Sequence, residues 1–409
     1  MDLVTGTISY VLLFIALYFE VFLLITYFEK RSDNRKPLQL PVILPTITII
    51  VPIWNEETTV LKTIFSILKL DYPKDKLSVF IVDDGSTDNT WKVIQRFKRN
   101  SQVTLLRKEN GGKHTALNYA LQFVTSDLVG CLDADSYVHP QALRRIVSKF
   151  NEGDYMAVTP SIKVHEPKGI IQLIQKVEYG WGVLLRNTLA HLGAIYVTPG
   201  PLSIFKREVF LRLGGYRKAH NTEDMEIALR MHENKMRIGN APDAFIYTSA
   251  PRNLKSLYKQ RLRWTYGFMK NAIDYKHMFF NPRYGNLGMV MLPIASLSLF
   301  SSTYLVAMNV WGWIVKVVEK VTEVNVIGLN FNTPSFELFY VNTTPITIIS
   351  YVAIIGTIAL LFFSRQMAEG NRKPGWDMFL FMFLYVFITP IWVTRAMYNV
   401  VFAKKTSWR

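Results

Sequence analysis

The chain has 409 residues, 50% of them hydrophobic and 19% charged, and a formal net charge of +16. That mixture excludes a simple soluble domain and points to a soluble unit joined to membrane spans. The basic residues are scattered among loops beside those spans, which argues for cytoplasmic retention and a polyanionic substrate and against nucleic acid as a partner, and the single cysteine, Cys131, rules out an internal disulfide.

Residues 8–28 are almost wholly apolar, Glu20 excepted, and are followed by Lys30, Arg31, Arg35 and Lys36. The run is long enough to span a bilayer. With no positive leading region and no small-residue cleavage site, residues 1–40 read as a retained signal anchor with its N-terminus outside. The basic flank places the chain from residue 41 onward in the cytoplasm.

Over 41–250, short β-branched runs alternate with amphipathic stretches. Residues 46–51, 77–82, 103–106 and 128–132 read as strands, and 58–70, 90–99 and 113–123 as helices. The alternation predicts an α/β fold with a mostly parallel sheet covered on both faces. Ligands of such sheets collect at the carboxyl ends of strands. Three of those ends are polar: Trp54-Asn55-Glu56, Asp83-Asp84-Gly85-Ser86 and Asp133-Ala134-Asp135.

Residues 169–192, with Lys176, Arg186 and His191 among apolar and aromatic neighbours, and the basic, aromatic 251–275 read as helices. They suit either the headgroup region of a membrane or ordinary packing on the sheet. Further spans are predicted at 288–315, 343–364 and 378–402. Segment 317–342, poor in basic residues, suits the outside, and the loop 365–377, with Arg365, Arg372 and Lys373, suits the inside. Four simple spans would leave the tail outside, yet Lys404, Lys405 and Arg409 favour the cytoplasm. Pro390 offers a break that would make the last segment re-entrant or surface-lying.

The motifs carry two meanings each when taken singly. Asp133 and Asp135 can share a hard cation that in turn meets a diphosphate, or they form an Asx turn. Asp83 and Asp84 can accept hydrogen bonds from a base or ribose, or simply start the turn before a helix. Lys113 opens a helix behind Gly111-Gly112, where a nucleotide anion is favoured, or it is an exposed charge. No Gly-x-Gly-x-x-Gly or Walker string is present. Thr222 reads as an N-cap with Glu223 and Asp224 complementing the helix dipole, yet Asp224 is also the best-placed base beyond the Asp pair. In Gln260-Arg261-Leu262-Arg263-Trp264, helical spacing puts Gln260, Arg263 and Trp264 on one face. An Arg fork suits phosphate and a Trp face suits a sugar, although such a helix also anchors at membrane interfaces.

In this order and spacing the four motifs resemble the membrane-embedded family 2 glycosyltransferases, the processive β-glycan synthases that make poly-N-acetylglucosamine, chitin oligosaccharides, hyaluronan and cellulose. The resemblance covers nearly the whole chain. It implies a cytosolic GT-A (Rossmann-like) domain at 41–250, an interfacial segment at 251–286 and an α-helical transmembrane region at 287–409, in an integral protein of the plasma membrane. A UDP-sugar donor, Mg²⁺ or Mn²⁺, a β-glycan acceptor and an accessory secretion or polymerisation subunit are implied with it. By the same resemblance Glu56, Asp83, Asp84, Lys113, Asp133 and Arg263 serve the donor, and Asp133 with Asp135 the metal. Asp224, beside Glu223, is the base, while Gln260, Arg261, Trp264, Gly200 and Pro201 serve acceptor or product.

There are departures. Thr222-Glu223-Asp224 stands where hyaluronan synthases usually carry a Gly-Asp-Asp string, which favours N-acetylglucosamine or glucan polymers. The cellulose-synthase string Phe-x-Val-Thr-x-Lys is not evident. Trp408 either resembles a C-terminal Trp that caps the donor site in some relatives or belongs to a frayed terminus. Two rival readings are a non-processive transferase to a glycolipid or polyprenyl phosphate and a non-catalytic nucleotide-sugar-sensing subunit.

Overall fold

The structure is a computed structural model describing residues 3–30, 39–327 and 344–402. Arg31, Arg35, Lys36, most of the 317–342 segment and the tail bearing Trp408 lie outside the described residues. In chain order, α1 (Leu3–Lys30) leads to β1 (Ile47–Ile53), α2 (Val60–Leu68), β2 (Leu77–Asp84), α3 (Thr90–Ile94), β3 (Val103–Lys108), α4 (Lys113–Leu121) and β4 (Leu128–Cys131). Next come β5 (Ser136–Val138), α5 (Ala142–Asn151), β6 (Ala157–Val164), α6 (Ile170–His191), β7 (Ser203–Lys206) and α7 (Arg207–Leu213). The remaining elements are α8 (Glu223–Glu233), β8 (Ile238–Thr248), α9 (Leu254–Asp274), α10 (Leu292–Ile327), α11 (Pro345–Glu369) and α12 (Trp376–Val401).

All eight strands form one sheet in the order β3-β2-β1-β4-β7-β6-β8-β5. The four predicted strands, β1 to β4, are mutually parallel, as helical crossovers require. Beyond them the sheet is mixed, because β7 inserts antiparallel between β4 and β6, and β5 runs antiparallel to β8. Along β1, ITIIVPI, successive side chains enter opposite layers. Ile49 and Val51 join Ile64, Ile81 and Ile146 in one core, while Ile50 joins Val82, Leu117 and Phe205 in the other. Burial on both faces is why these strands read as continuous apolar runs.

One face of α6 meets the domain, where Gln172 and Gln175 donate to the carbonyls of Ala250 and Pro251 at 2.9 and 2.8 Å. Leu184, on the same helix, packs with Leu23 and Tyr27 of α1 and Leu360 of α11. This helix therefore joins the sheet to the apolar helices instead of choosing between them.

Four helical stretches among the described residues are long and apolar enough to cross a membrane: Gly6–Lys30, Leu287–Asn325, Pro345–Glu369 and Trp376–Val401. The helix expected to end at 315 continues to Ile327, and its 36 residues rise about 54 Å, against a hydrocarbon core of about 30 Å. Pro390 does not break the last one. That expectation is corrected: α12 is continuous through it, because Trp392, Val393 and Ala396 pack on Tyr266 and Met269 of α9 and hold the helix where one backbone bond is lost.

An ion network latches this hairpin to α6. Lys176 lies 2.9 Å from Glu369 and 3.3 Å from Asp377, and Arg365 lies 2.6 Å from Asp377. Asp377→Ala is expected to cost about 2 kcal/mol, since it strips two partly buried cations of their shared acceptor. Thermal unfolding in detergent should show a midpoint lower by a few degrees, and an unchanged midpoint would count against the latch.

Candidate active site

The Asp133-Ala134-Asp135 backbone is pinned from both sides. Leu132 N–H donates to Ile50 O at 2.9 Å, Thr63 Oγ1 donates to Ala134 O at 2.7 Å, and Leu202 N–H donates to Cys131 O at 2.7 Å. Lys113, at the first position of α4, places Nζ 2.7 Å from Asp133 Oδ1 and 3.2 Å from Glu223 Oε1. One ammonium thus brings two of the motifs together. Burial would lower its pKa, but Asp133 and Glu223 hold it well above the ordinary lysine range. A Cβ at Gly200 would lie 2.6 Å from Lys113 Nζ and 2.7 Å from Asp133 Oδ2, so the Gly200-Pro201 backbone closes directly over the pair.

Asp224 lines the same pocket with Lys113, Thr198, Gly200 and Glu223. Thr198 ties it in, donating through both N–H and Oγ1 to Asp224 O at 3.0 and 2.9 Å. The carboxyl accepts from Met225 N–H at 3.0 Å. Burial, then repulsion from Glu223, pushes its pKa up to about 6, with Lys113 and Arg263 opposing. A base of that pKa is ionised at neutral pH yet able to accept a proton.

Asp83 and Asp84 turn inward. Asp83 is fully buried, accepts from Ser86 N–H at 3.0 Å and pairs with Arg107 at 3.0 Å. Asp84 accepts from Lys108 Nζ at 2.7 Å, Gly111 N–H at 3.1 Å and Gly112 N–H at 2.8 Å. Asp84 thereby shapes the turn that presents Lys113, and Asp83 the turn that follows β2. Thr222 starts α8, but its hydroxyl makes no cap. It donates to Ala219 O at 3.0 Å and accepts from Asn271 at 2.8 Å.

On α9 the string divides its labour. Arg261 is buried, forked onto Glu178 of α6 at 2.9 and 2.6 Å, bonded to Gln260 Oε1 at 2.6 Å and stacked 4.3 Å from the Trp264 ring centroid. Through Nε, Nη1 and Nη2 it engages Glu178 and Gln260 and so braces its neighbours on α9. Arg263 Nη1 donates to Asn221 O at 3.1 Å, and its charge reaches Asp224. Trp264 keeps 37% of its surface exposed, leaving a face for a sugar.

A sequence profile described as Glycosyltransferase like family 2 matches residues 45–267, more than half of the chain. The chain belongs to that family. This family 2 glycosyltransferase is 32% identical over 262 residues to the poly-beta-1,6-N-acetyl-D-glucosamine synthase of Staphylococcus aureus (strain COL), a match covering 62% of this chain and 63% of that protein. It is 26% identical over 353 residues to the synthase of the same name from Staphylococcus epidermidis, covering 86% and 81%. A mannosyltransferase of Pyrobaculum calidifontis, solved in complex with GDP-Man and Mn²⁺, shares the fold with a TM-score of 0.62 and 20% identity over 98% of this chain and 99% of that one. The sheet of the transferase is therefore GT-A-like, and the site residues from Glu56 to Trp264 all fall within the matched stretch.

Among the described residues of the transferase, no three His, Cys, Asp or Glu side chains converge to hold a metal ion. Two carboxylates nevertheless suit Mg²⁺ or Mn²⁺, because such ions take one or two protein carboxylates and complete their shell with water and phosphate. Asp135 carries the mark of such a seat. Burial, then Asp133 and Glu56, pushes its pKa up to about 7, a crowding of negative charge that a divalent cation relieves. Glu56 itself accepts from Thr59 Oγ1 at 2.6 Å, which keeps it at the rim.

Sequence reasoning missed Glu178, Thr198, Lys108 and Asn271. Glu178, an acid within an otherwise basic, aromatic helix, was the visible sign. Nothing local marks the others. Close packing of α9 on the Thr222 turn yields a test: a Cβ at Gly267 would run into the Thr222 side chain, within 2.9 Å of its Cβ. Gly→Ala inside a helix normally gains about 1 kcal/mol, but here the overlap should reverse the sign and cost about 1–3 kcal/mol. Thermal unfolding of Gly267→Ala reads the sign directly, and a raised midpoint would refute the close approach.

Proposed function

We propose that the chain transfers N-acetylglucosamine from UDP-GlcNAc to the end of a growing β-linked glycan, with inversion, and passes the product through its own helices. The catalytic domain faces the cytoplasm of a plasma membrane in this reading, with the chain divided into an anchor (1–40), a transferase domain (41–250), an interfacial segment (251–286) and a transmembrane region (287–409). The observation that carries it is the cluster in which Lys113 pairs Asp133 and Glu223 beside a buried Asp224 with the pKa of a working base. The synthase names of the two staphylococcal relatives support the sugar and point to the 6-hydroxyl as the acceptor.

Asp224 takes the proton of the acceptor hydroxyl as that oxygen bonds to the anomeric carbon from the side opposite the diphosphate. The bond from that carbon to UDP breaks, its electron pair leaves with UDP, and an α-linked donor gives a β-linkage. Asp133 and Asp135 would hold Mg²⁺ or Mn²⁺, which supplies positive charge for the departing diphosphate. Lys113 adds charge on the same side and keeps Asp133 and Glu223 from repelling each other. Trp264 offers its face to the terminal acceptor sugar, and Arg261 fixes that ring and the Gln260 amide in place. Arg263, whose charge reaches Asp224, would serve the departing diphosphate. An accessory subunit for polymerisation or secretion belongs to the same reading.

Purified protein given UDP-GlcNAc and Mn²⁺ should yield a ladder of N-acetylglucosamine oligomers by mass analysis. A single sugar on a lipid or polyprenyl carrier would replace this reading with one-step transfer, and no turnover of any UDP-sugar would revive a sensing role. Asp224→Asn should lower turnover by about 10²–10⁴-fold, the usual contribution of a general base, with UDP affinity nearly unchanged. The pH profile is set by the raised pKa of the same group. Because only ionised Asp224 accepts the proton, turnover at saturating donor should be level above pH about 6 and fall about tenfold per unit below it.

A further inference from the structure

Just before Glu223 and Asp224 the backbone is left-handed at three successive non-glycine residues, Ala219 (φ 41°), His220 (φ 56°) and Asn221 (φ 64°). Side chains disfavour that region, so such a turn persists only where its surroundings hold it. Here the holder is α9. Asn271 Nδ2 donates to Thr222 Oγ1 at 2.8 Å and reaches Ala219 O at 3.5 Å. Arg263 Nη1 donates to Asn221 O at 3.1 Å, and His220 Nε2 lies 2.8 Å from Asp274 Oδ2.

Asn271 is the innermost of these contacts, with 1% of its surface exposed. Its Nδ2 is fully used, bonding also to Gly267 O at 2.9 Å, whereas its Oδ1 is buried without a partner. An orphaned buried acceptor costs stability that a leucine of similar volume would not. The amide is thus a poor choice for packing and a good one for donating to the turn. Thr222 O in turn accepts from Met225 N–H at 3.1 Å and Glu226 N–H at 3.2 Å, the first bonds of α8. A shift of Thr222 therefore moves the start of the helix that carries Asp224.

We propose that Asn271 is a positioning residue for the transfer reaction: through Thr222 it sets the left-handed turn and so the direction of the Asp224 carboxyl. This rests on the reading of Asp224 as the base. The helix that presents Trp264 and Gln260 to the acceptor then also aims the group that deprotonates it.

Asn271→Leu in the full chain in detergent, with UDP-GlcNAc and Mn²⁺, separates positioning from packing. Misplacement of a catalytic group by about 1 Å costs about 10²-fold. The expected result is kcat lower by about that factor, UDP affinity within about twofold and an unfolding midpoint no lower than that of the unsubstituted protein. In a Thr222→Val background the same substitution should lower kcat by less than about twofold more, since the route through the hydroxyl is already cut. Should Asn271→Leu fail to fold, Thr222→Val alone carries the test, with kcat lost and UDP affinity retained. Wild-type kcat in Asn271→Leu, or a loss shared equally by kcat, UDP binding and midpoint, overturns the proposal. If Asp224→Asn is inactive while Asn271→Leu is not, positioning fails and the base stands. If Asp224→Asn is active, the reading beneath the proposal has failed.

Discussion

The ammonium of Lys113 is the contact on which the site depends. Asp133, Asp135, Glu223, Asp224 and Glu56 gather near one rim, and bare carboxylates so crowded in a partly buried cleft repel one another strongly. Lys113 touches two of them and lowers the pKa values of Asp135 and Asp224 from where burial alone would leave them. Its position is secured further back. Asp84 gathers the Gly111 and Gly112 N–H groups and so shapes the turn from which α4, and Lys113 with it, begins. A carboxylate expected at the donor thus also builds the turn on which Lys113 is presented.

A second frame stands behind the first. Along α6, Glu178 grips Arg261 of α9, Lys176 engages Glu369 and Asp377 at the α11–α12 turn, and Leu184 meets α1 and α11. The sheet, the motif helix and the apolar helices therefore share one strut. Charged groups at partly buried junctions are costly to desolvate, and here they are paired with one another, so the junction is specific.

Much of this was legible from short-range pattern. The strands β1 to β4 and the helices between them follow from β-branched runs and helical spacing, because both reflect burial along a single element. The carboxylates at the strand ends were readable for the same reason. The inward turn of Asp83 and Asp84 was not, since a carboxylate at a strand end serves a ligand or a loop equally well on paper. Nor could spacing pair Arg261 with a glutamate 83 residues earlier, or reveal that β7 runs antiparallel between β4 and β6. Pro390 misled because its cost to a helix is local, while the packing of Trp392 and Ala396 that offsets it is not.

The close approach of Gly267 to Thr222 has a consequence for how such a chain can drift over generations. The two positions lie on separate helices and share one small volume, so their sizes are a joint quantity. A side chain gained at 267 is admissible only where 222 gives up as much space, and a larger residue at 222 demands bare backbone at 267. Variation at this junction must therefore come in matched pairs, whereas the exposed faces of the same helices are free to change one residue at a time.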